Sequence, residues 1–212
     1  QTGRDVFGTK LEIGRHGEGL VDILNGAEFK LPSLILGCFE TSKGSIRVSG
    51  KAPSGTASLF ESDGSITIGS NGRGSLEVLS GAQARSYKNA VIGRYGTGEG
   101  MVTVRGADSK WSHTLEKNGT DAGSLIVGMG GKGTLVVGDQ AQFEAGNVVI
   151  GEKPDPNARG GAEGTLIITN GARVNVQSGI AFLTLGKEFG SKGTLIMDGA
   201  NSKLLGIKNQ NN

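Results

Sequence analysis

The chain has 212 residues, with glycine at 39 positions, proline at 4, aromatics at 5 % and a formal net charge of +2. The balanced charge gives no footprint for nucleic acid or an acidic membrane surface, no apolar run approaches the roughly 18 residues of a membrane span, and a single cysteine, Cys38, excludes an internal disulfide. Glycine stands far above its usual level of roughly 7 % but lacks the G-X-Y period of collagen, and the apolar residues gather in short runs, so a packed core is expected. No signal peptide is visible at Gln1, the pattern starts abruptly, and the end is a polar "KNQNN", so the chain reads as an excised piece of something larger.

In chain order the first element is "LEI" (11–13), running into "GRHGEG" (14–19). Taken alone this is a strand opening onto a glycine-rich loop of the kind that cradles phosphate. A second strand, "GLVDI" (19–23), follows directly, and then Gly26-Ala27 with a polar stretch. The same order returns along the chain. First strands recur as "LIL" (34–36), "ITI" (66–68), "AVI" (90–92), "LIV" (125–127), "VVI" (148–150) and "LTL" (183–185). Second strands recur as "GSIRV" (44–48), "GSLEV" (74–78), "GMVTV" (100–104), "GTLVV" (133–137), "GTLII" (164–168) and "GTLIM" (193–197). The glycine closing each first strand falls at Gly14, Gly37, Gly69, Gly93, Gly128, Gly151 and Gly186, with short and long intervals alternating in a super-repeat of 55 to 59 residues.

Period-two alternation over short, β-branched runs between glycines predicts strands. A third short strand is expected in the stretch that opens with "GA", as at Gly81-Ala82 and Gly171-Ala172. A unit this small cannot bury its own inward face, whereas stacked copies can. The predicted fold is therefore all-β: a right-handed parallel β-helix, or β-solenoid, of about seven coils over residues 1–212, a rod about 34 Å long at about 4.8 Å per coil. The phosphate question is answered by recurrence. "GRHGEG", "GSNGRG" (69–74) and "GMGGKG" (128–133) all open onto a strand, whereas a dinucleotide loop must open onto a helix N-terminus. The glycines are corners.

The phrases "GSLIVGMGGKGTLVVGDQA", "GTLIITNGARV" and "VTVRGADSKWSHTLEKNGTDAGSLIVG" resemble the repeats in passenger domains of bacterial autotransporters, the type V secreted surface proteins. The resemblance covers about residues 10 to 205 and rests on tandem order. It implies a pectin-lyase-like right-handed β-helix, exported through the outer membrane to the cell surface, with this chain a fragment of a longer passenger and the membrane touched only through a C-terminal barrel that the chain lacks. Unit two, "VSGKAPSGTASLFESDG", matches the pattern least well, and "GANSKL" (199–204) loses the tryptophan of "GADSKW".

The residue between each apolar pair is expected to face outward. On the second strands this ladder is Asp22, Arg47, Glu77, Thr103, Val136, Ile167, Ile196; its first three members alternate in sign and attract. Val136, Ile167 and Ile196 form an apolar stripe, either covered, with the insertion 152–163 as a candidate cover, or a surface for self-association. The first-strand ladder, Glu12, Ile35, Thr67, Val91, Ile126, Val149, Thr184, is mostly β-branched, as sheet surfaces are. Irregular first turns carry Phe39, Tyr95 and Phe189, which alternate coils would set on one edge of the rod, as contacts for a glycan or protein or as plugs of the coil corner. Trp111 is expected as a core or corner stacker.

Catalytic chemistry is not evident. Asp22 and Glu77 are two coils apart with Arg47 between them, so no carboxylate pair for acid–base work emerges. His16 and His113 are expected at the surface, and Cys38 as inert. Zinc spacing and the calcium-binding nonapeptide are absent, so no metal or other cofactor is expected. The function expected from the resemblance is non-enzymatic: a rigid adhesin segment contacting host-cell or extracellular-matrix proteins or glycans, with self-association or a plain stalk as alternatives, and a polysaccharide-degrading enzyme on the same fold behind these. Nucleic acid is not an expected partner.

Overall fold

The computed structural model describes residues 10–113, 123–153, 161–176 and 183–206. The described residues contain no helix. They form three parallel sheets of seven strands, and every strand pairs with its counterparts three strands earlier and later. Seven coils of three strands each therefore stack into a parallel β-solenoid. The first sheet holds short strands such as Leu11–Ile13, Ile66–Ile68 and Leu183–Leu185. All strands of the second sheet span seven residues, from Glu18–Leu24 to Lys192–Asp198. The third sheet, predicted from the "GA" stretches, is built of four-residue strands, from Glu28–Leu31 to Lys203–Gly206.

The alternation in the sequence becomes an inside and an outside. Ile46/Val48, Leu76/Val78, Val102/Val104 and Leu135/Val137 of the second sheet point inward and are buried. The third sheet contributes a column Phe29, Phe60, Ala84, Trp111, Phe143, Val174, Leu204, in register from coil to coil. Trp111 is fully buried and packs on Phe143 with ring centroids 5.0 Å apart, while the small Ala84 beneath it leaves room for the indole.

The corner glycines answer to two constraints at once. All seven have positive φ, between 62° and 78°. At Gly128 a Cβ would also collide with the carbonyl of Glu163 in the coil stacked above. Only glycine satisfies both. At the second corner, a serine of one coil accepts a hydrogen bond from a glycine N–H of the coil before it: Gly26 to Ser58, Gly81 to Ser109 and Gly171 to Ser202, at 3.0, 2.9 and 3.2 Å. These clamps join coils 1–2, 3–4 and 6–7; the first two fall within paired units of the super-repeat and the third lies across a boundary between pairs. Unit two departs from the pattern because it carries an antiparallel excursion, bridged at Lys51–Ala57, between its second and third strands.

Two expectations are corrected. His113 is not a surface histidine. It lies fully buried inside the solenoid, its inward position set by the same alternation that buries Trp111 two residues earlier. The alternate-coil placement also fails for one aromatic: Phe39 and Tyr95 belong to coils 2 and 4, but Phe189 belongs to coil 7. Most of the insertion 152–163, named as a cover, lies outside the described residues, which omit 154–160.

Candidate functional site

The turn between the first and second sheets, over coils 1 to 5, brings together three outward ladders. The first lies two residues after each closing glycine: His16, Phe39, Asn71, Tyr95. His16 and Phe39 stack nearly parallel, 4.4 Å between centroids and 5° between planes. Asn71 donates from Nδ2 to the carbonyl of Cys38 at 3.2 Å, and the Arg94 guanidinium lies 5.0 Å from the centre of the Tyr95 ring. Phe39 and Tyr95 are 44 % and 46 % exposed, so neither plugs the corner; Phe189, distant in coil 7, is 97 % exposed.

The second ladder stands immediately before the glycine that opens each second strand. It reads Glu18, Lys43, Arg73, Glu99, Lys132, Glu163, Lys192, and the strand register places each beside the next. Every member is charged, and the signs nearly alternate. Lys43 Nζ donates to Glu18 at 2.6 Å and Arg73 Nε to Glu99 at 2.9 Å. The third ladder, two residues on, is Ser45, Ser75, Met101, Thr134, with the Ser75 hydroxyl donating to that of Ser45 at 2.8 Å. The alternation that turns the glycine inward turns the charged residue and the hydroxyl outward.

Two clefts open along these ladders. One, about 450 Å³, has the hydroxyls and Met101 on one side and Lys43, Arg73, Glu99 and Lys132 on the other. The second, about 460 Å³, shares Lys43, Arg73 and Glu99 and extends to Glu40, Thr41, Asn71 and Thr97 on the corner turns. Thr97 Oγ1 donates to the Asn71 carbonyl at 2.8 Å, which ties neighbouring turns together. The second cleft thus reaches the turns that carry Phe39 and Tyr95, while the first lies on the strands of the second sheet beside it.

The other candidates lie elsewhere. Val136, Ile167 and Ile196 are in register on the outer face of the second sheet, but exposure rises along the stripe, from 5 % at Val136 to 44 % at Ile196. Asp22 is clasped by Arg47 through two hydrogen bonds of 2.9 Å, as the sign alternation predicts. Cys38 is buried, and burial pushes its thiol above the usual pKa. Among the described residues no group of three or more His, Cys, Asp and Glu side chains could hold a metal ion.

His113 belongs to a closed internal network. Trp111 Nε1 donates to Ser86 Oγ at 3.0 Å, and because the Gly123 carbonyl can only accept from His113 Nε2, the Nδ1 of the neutral ring accepts the Ser86 hydroxyl proton at 2.8 Å. His113 Nε2 then carries the ring proton and donates to the Gly123 carbonyl at 3.1 Å. Burial lowers the pKa of His113 to about 4 against the bonds to the Gly123 and Ser124 backbone, so the ring is neutral. Serine and histidine meet here as core, sealed from any substrate.

Reading only the residue between each apolar pair missed the charge ladder. Its signal was in plain sight as "EGL", "KGS", "RGS", "EGM", "KGT", "EGT", "KGT". His16 beside Phe39 was equally legible from their shared repeat position. Searches among protein families, curated proteins and solved structures find no match to this chain.

Proposed function

We propose that this chain is an adhesive segment of a bacterial autotransporter passenger, a non-enzymatic rod displayed outside the outer membrane that contacts host-cell or matrix proteins or glycans. Two things support the reading: the tandem repeat order, and a solenoid whose outward residues form ladders instead of an enclosed pocket. The observation that carries it is the pair of adjoining clefts on the second sheet and the corner turns, the latter also presenting exposed Phe39 and Tyr95. Rigid scaffolds with concave, polar turns suit recognition of a partner.

The test is binding of the purified chain to host cells and to a matrix-protein and glycan array, beside the Phe39→Ala/Tyr95→Ala/Phe189→Ala variant. Saturable binding that falls at least tenfold in a variant that still folds is the expected result. Exposed Ile196 with half-buried Ile167 favours a second reading, lateral self-association. Absence of saturable binding, together with concentration-dependent dimers lost in Ile167→Asp, would replace adhesion by that reading.

A further inference from the structure

Resting on the adhesive reading, we infer that the cleft over coils 2 to 5 is a binding site for a linear anionic polysaccharide lying along the rod axis. Charge comes first. On the outer face of the second sheet in these four coils stand Lys43, Arg47, Arg73, Arg105 and Lys132. Only Glu77 and Glu99 oppose them on that face. The surplus is partly offset from coil 1, where Glu18 pairs with Lys43 and Asp22 with Arg47, and coil 6 carries Glu163 on the same face. Of these cations, Lys43, Arg73 and Lys132 line the cleft with Glu99 as its one acid, whereas Arg47 and Arg105 lie off it, paired with Asp22 and Asp139.

The state of those cations points the same way. Lys132 has no ion pair among the described residues. Arg73 spends its Nε on Glu99, and its side chain remains well exposed, as does that of Lys43. Terminal guanidinium N–H groups suit carboxylate or sulfate oxygens. The hydroxyls of Ser45, Ser75 and Thr134 line the cleft beside them, and hydroxyls both donate to and accept from sugars.

Periodicity fixes the direction. Cation and hydroxyl stand in register on coils 2, 3 and 5, at about 4.8 Å per coil and with Glu99 and Met101 interrupting at coil 4, so the site offers the same chemistry at three points along one line. A polymer with regularly spaced anionic groups uses that repetition; a single small anion does not. Nucleic acid is disfavoured because no aromatic ring lines this cleft, and base stacking carries much of single-strand binding. Phe39 and Tyr95, on the corner turns, already have His16 and Arg94 against their rings.

The experiment measures binding of the full chain to chondroitin sulfate, polygalacturonate, dextran and single-stranded DNA at low and physiological salt. Arg73→Gln/Lys132→Gln runs beside the wild type, with Lys203→Gln, on the third sheet, as a control that should bind normally. The expected result is binding of one or both polyanionic saccharides with at least tenfold preference over dextran. The Arg73/Lys132 double variant should bind at least tenfold more weakly at an unchanged melting temperature. Affinity should fall as salt rises, because bound cations are released from the polyanion. Equal binding of dextran, tighter binding of DNA, or full retention of affinity in the double variant would each overturn the inference. Cell or matrix binding that persists without any polysaccharide binding would overturn it too, while leaving adhesion standing; no binding to cells, matrix or glycans would take down both.

Discussion

At the scale of single residues, His113 shows how the core couples to pH. Its folded pKa of about 4 lies below the 6.5 of a free imidazole because burial disfavours the cation. Between those values the unfolded chain takes up a proton that the folded chain refuses. The stabilisation is therefore complete above pH 6.5, declines as pH falls, and is gone below about pH 4. The gap corresponds to about 3 kcal/mol. Urea midpoints at pH 7.5, 5.5 and 4.5 for the wild type and His113→Gln measure it. The variant is less stable at pH 7.5, because Ser86 and Gly123 lose their partner, but its loss of stability on acidification is the smaller by up to that amount. Identical acid slopes would show that another group carries the effect. The sequence motif "KWSH" contains the inward alternation of Trp111 and His113. What it does not contain is the register that sets Ser86 beside both, because that pairing spans a whole coil and depends on the lengths of two turns.

Among elements, the corner joining first and second strands is where chain conformation and coil stacking meet. Gly128 and Gly186 share the left-handed backbone, at φ +78° and +62°. They differ in what lies above: Gly128 is capped by the backbone of coil 6, whereas a Cβ at Gly186 would meet its nearest atom, the Ser191 carbonyl oxygen, at an ordinary 3.5 Å. Gly186→Ala should thus cost only the conformational term of about 1–2 kcal/mol. Gly128→Ala adds the overlap with a packed neighbour, about 1–3 kcal/mol more. Melting temperatures of the two variants test this, and equal losses would mean that stacking imposes no constraint at the corner. The corners and all first and second strands were legible because each repeats the same glycine and apolar pair. The clefts were less so. They need a third dimension, the stacking of Lys43 on Arg73 on Glu99 on Lys132 across intervals of unequal length. Phe189 was misplaced because it belongs to the seventh coil and stands one position later in its turn, where Glu188 makes with Ser191 the bonds that Phe39 makes with Ser42.

Over the whole molecule, stability is quasi-one-dimensional, since strands pair only between adjacent coils, with Lys51 of coil 2 reaching past coil 3 to Asp108 of coil 4 as a longer tie. The last described coil has a partner on one side only. Its inward-register residues Leu185 and Met197 are each 46 % exposed, whereas Ile150 and Ile168, one coil earlier in the same columns, are fully buried. Burying an aliphatic side chain contributes roughly 1.5–3 kcal/mol, so coil 7 holds to the stack with markedly less than an interior coil. The strand Lys192–Asp198 is also the edge of its sheet, paired only with Glu163–Thr169, whereas Glu99–Arg105 pairs on both sides, so it has fewer ladder hydrogen bonds as well. Native-state hydrogen exchange should therefore open the strand Lys192–Asp198 at a free energy several kcal/mol below that of Glu99–Arg105. Adding the saccharide that binds should raise protection over coils 2 to 5 and leave coil 7 unchanged, because a ligand stabilises only the coils that it contacts. Uniform exchange along the rod would show instead that the seven coils open as one unit, and that the cleft and the far coil share one fate.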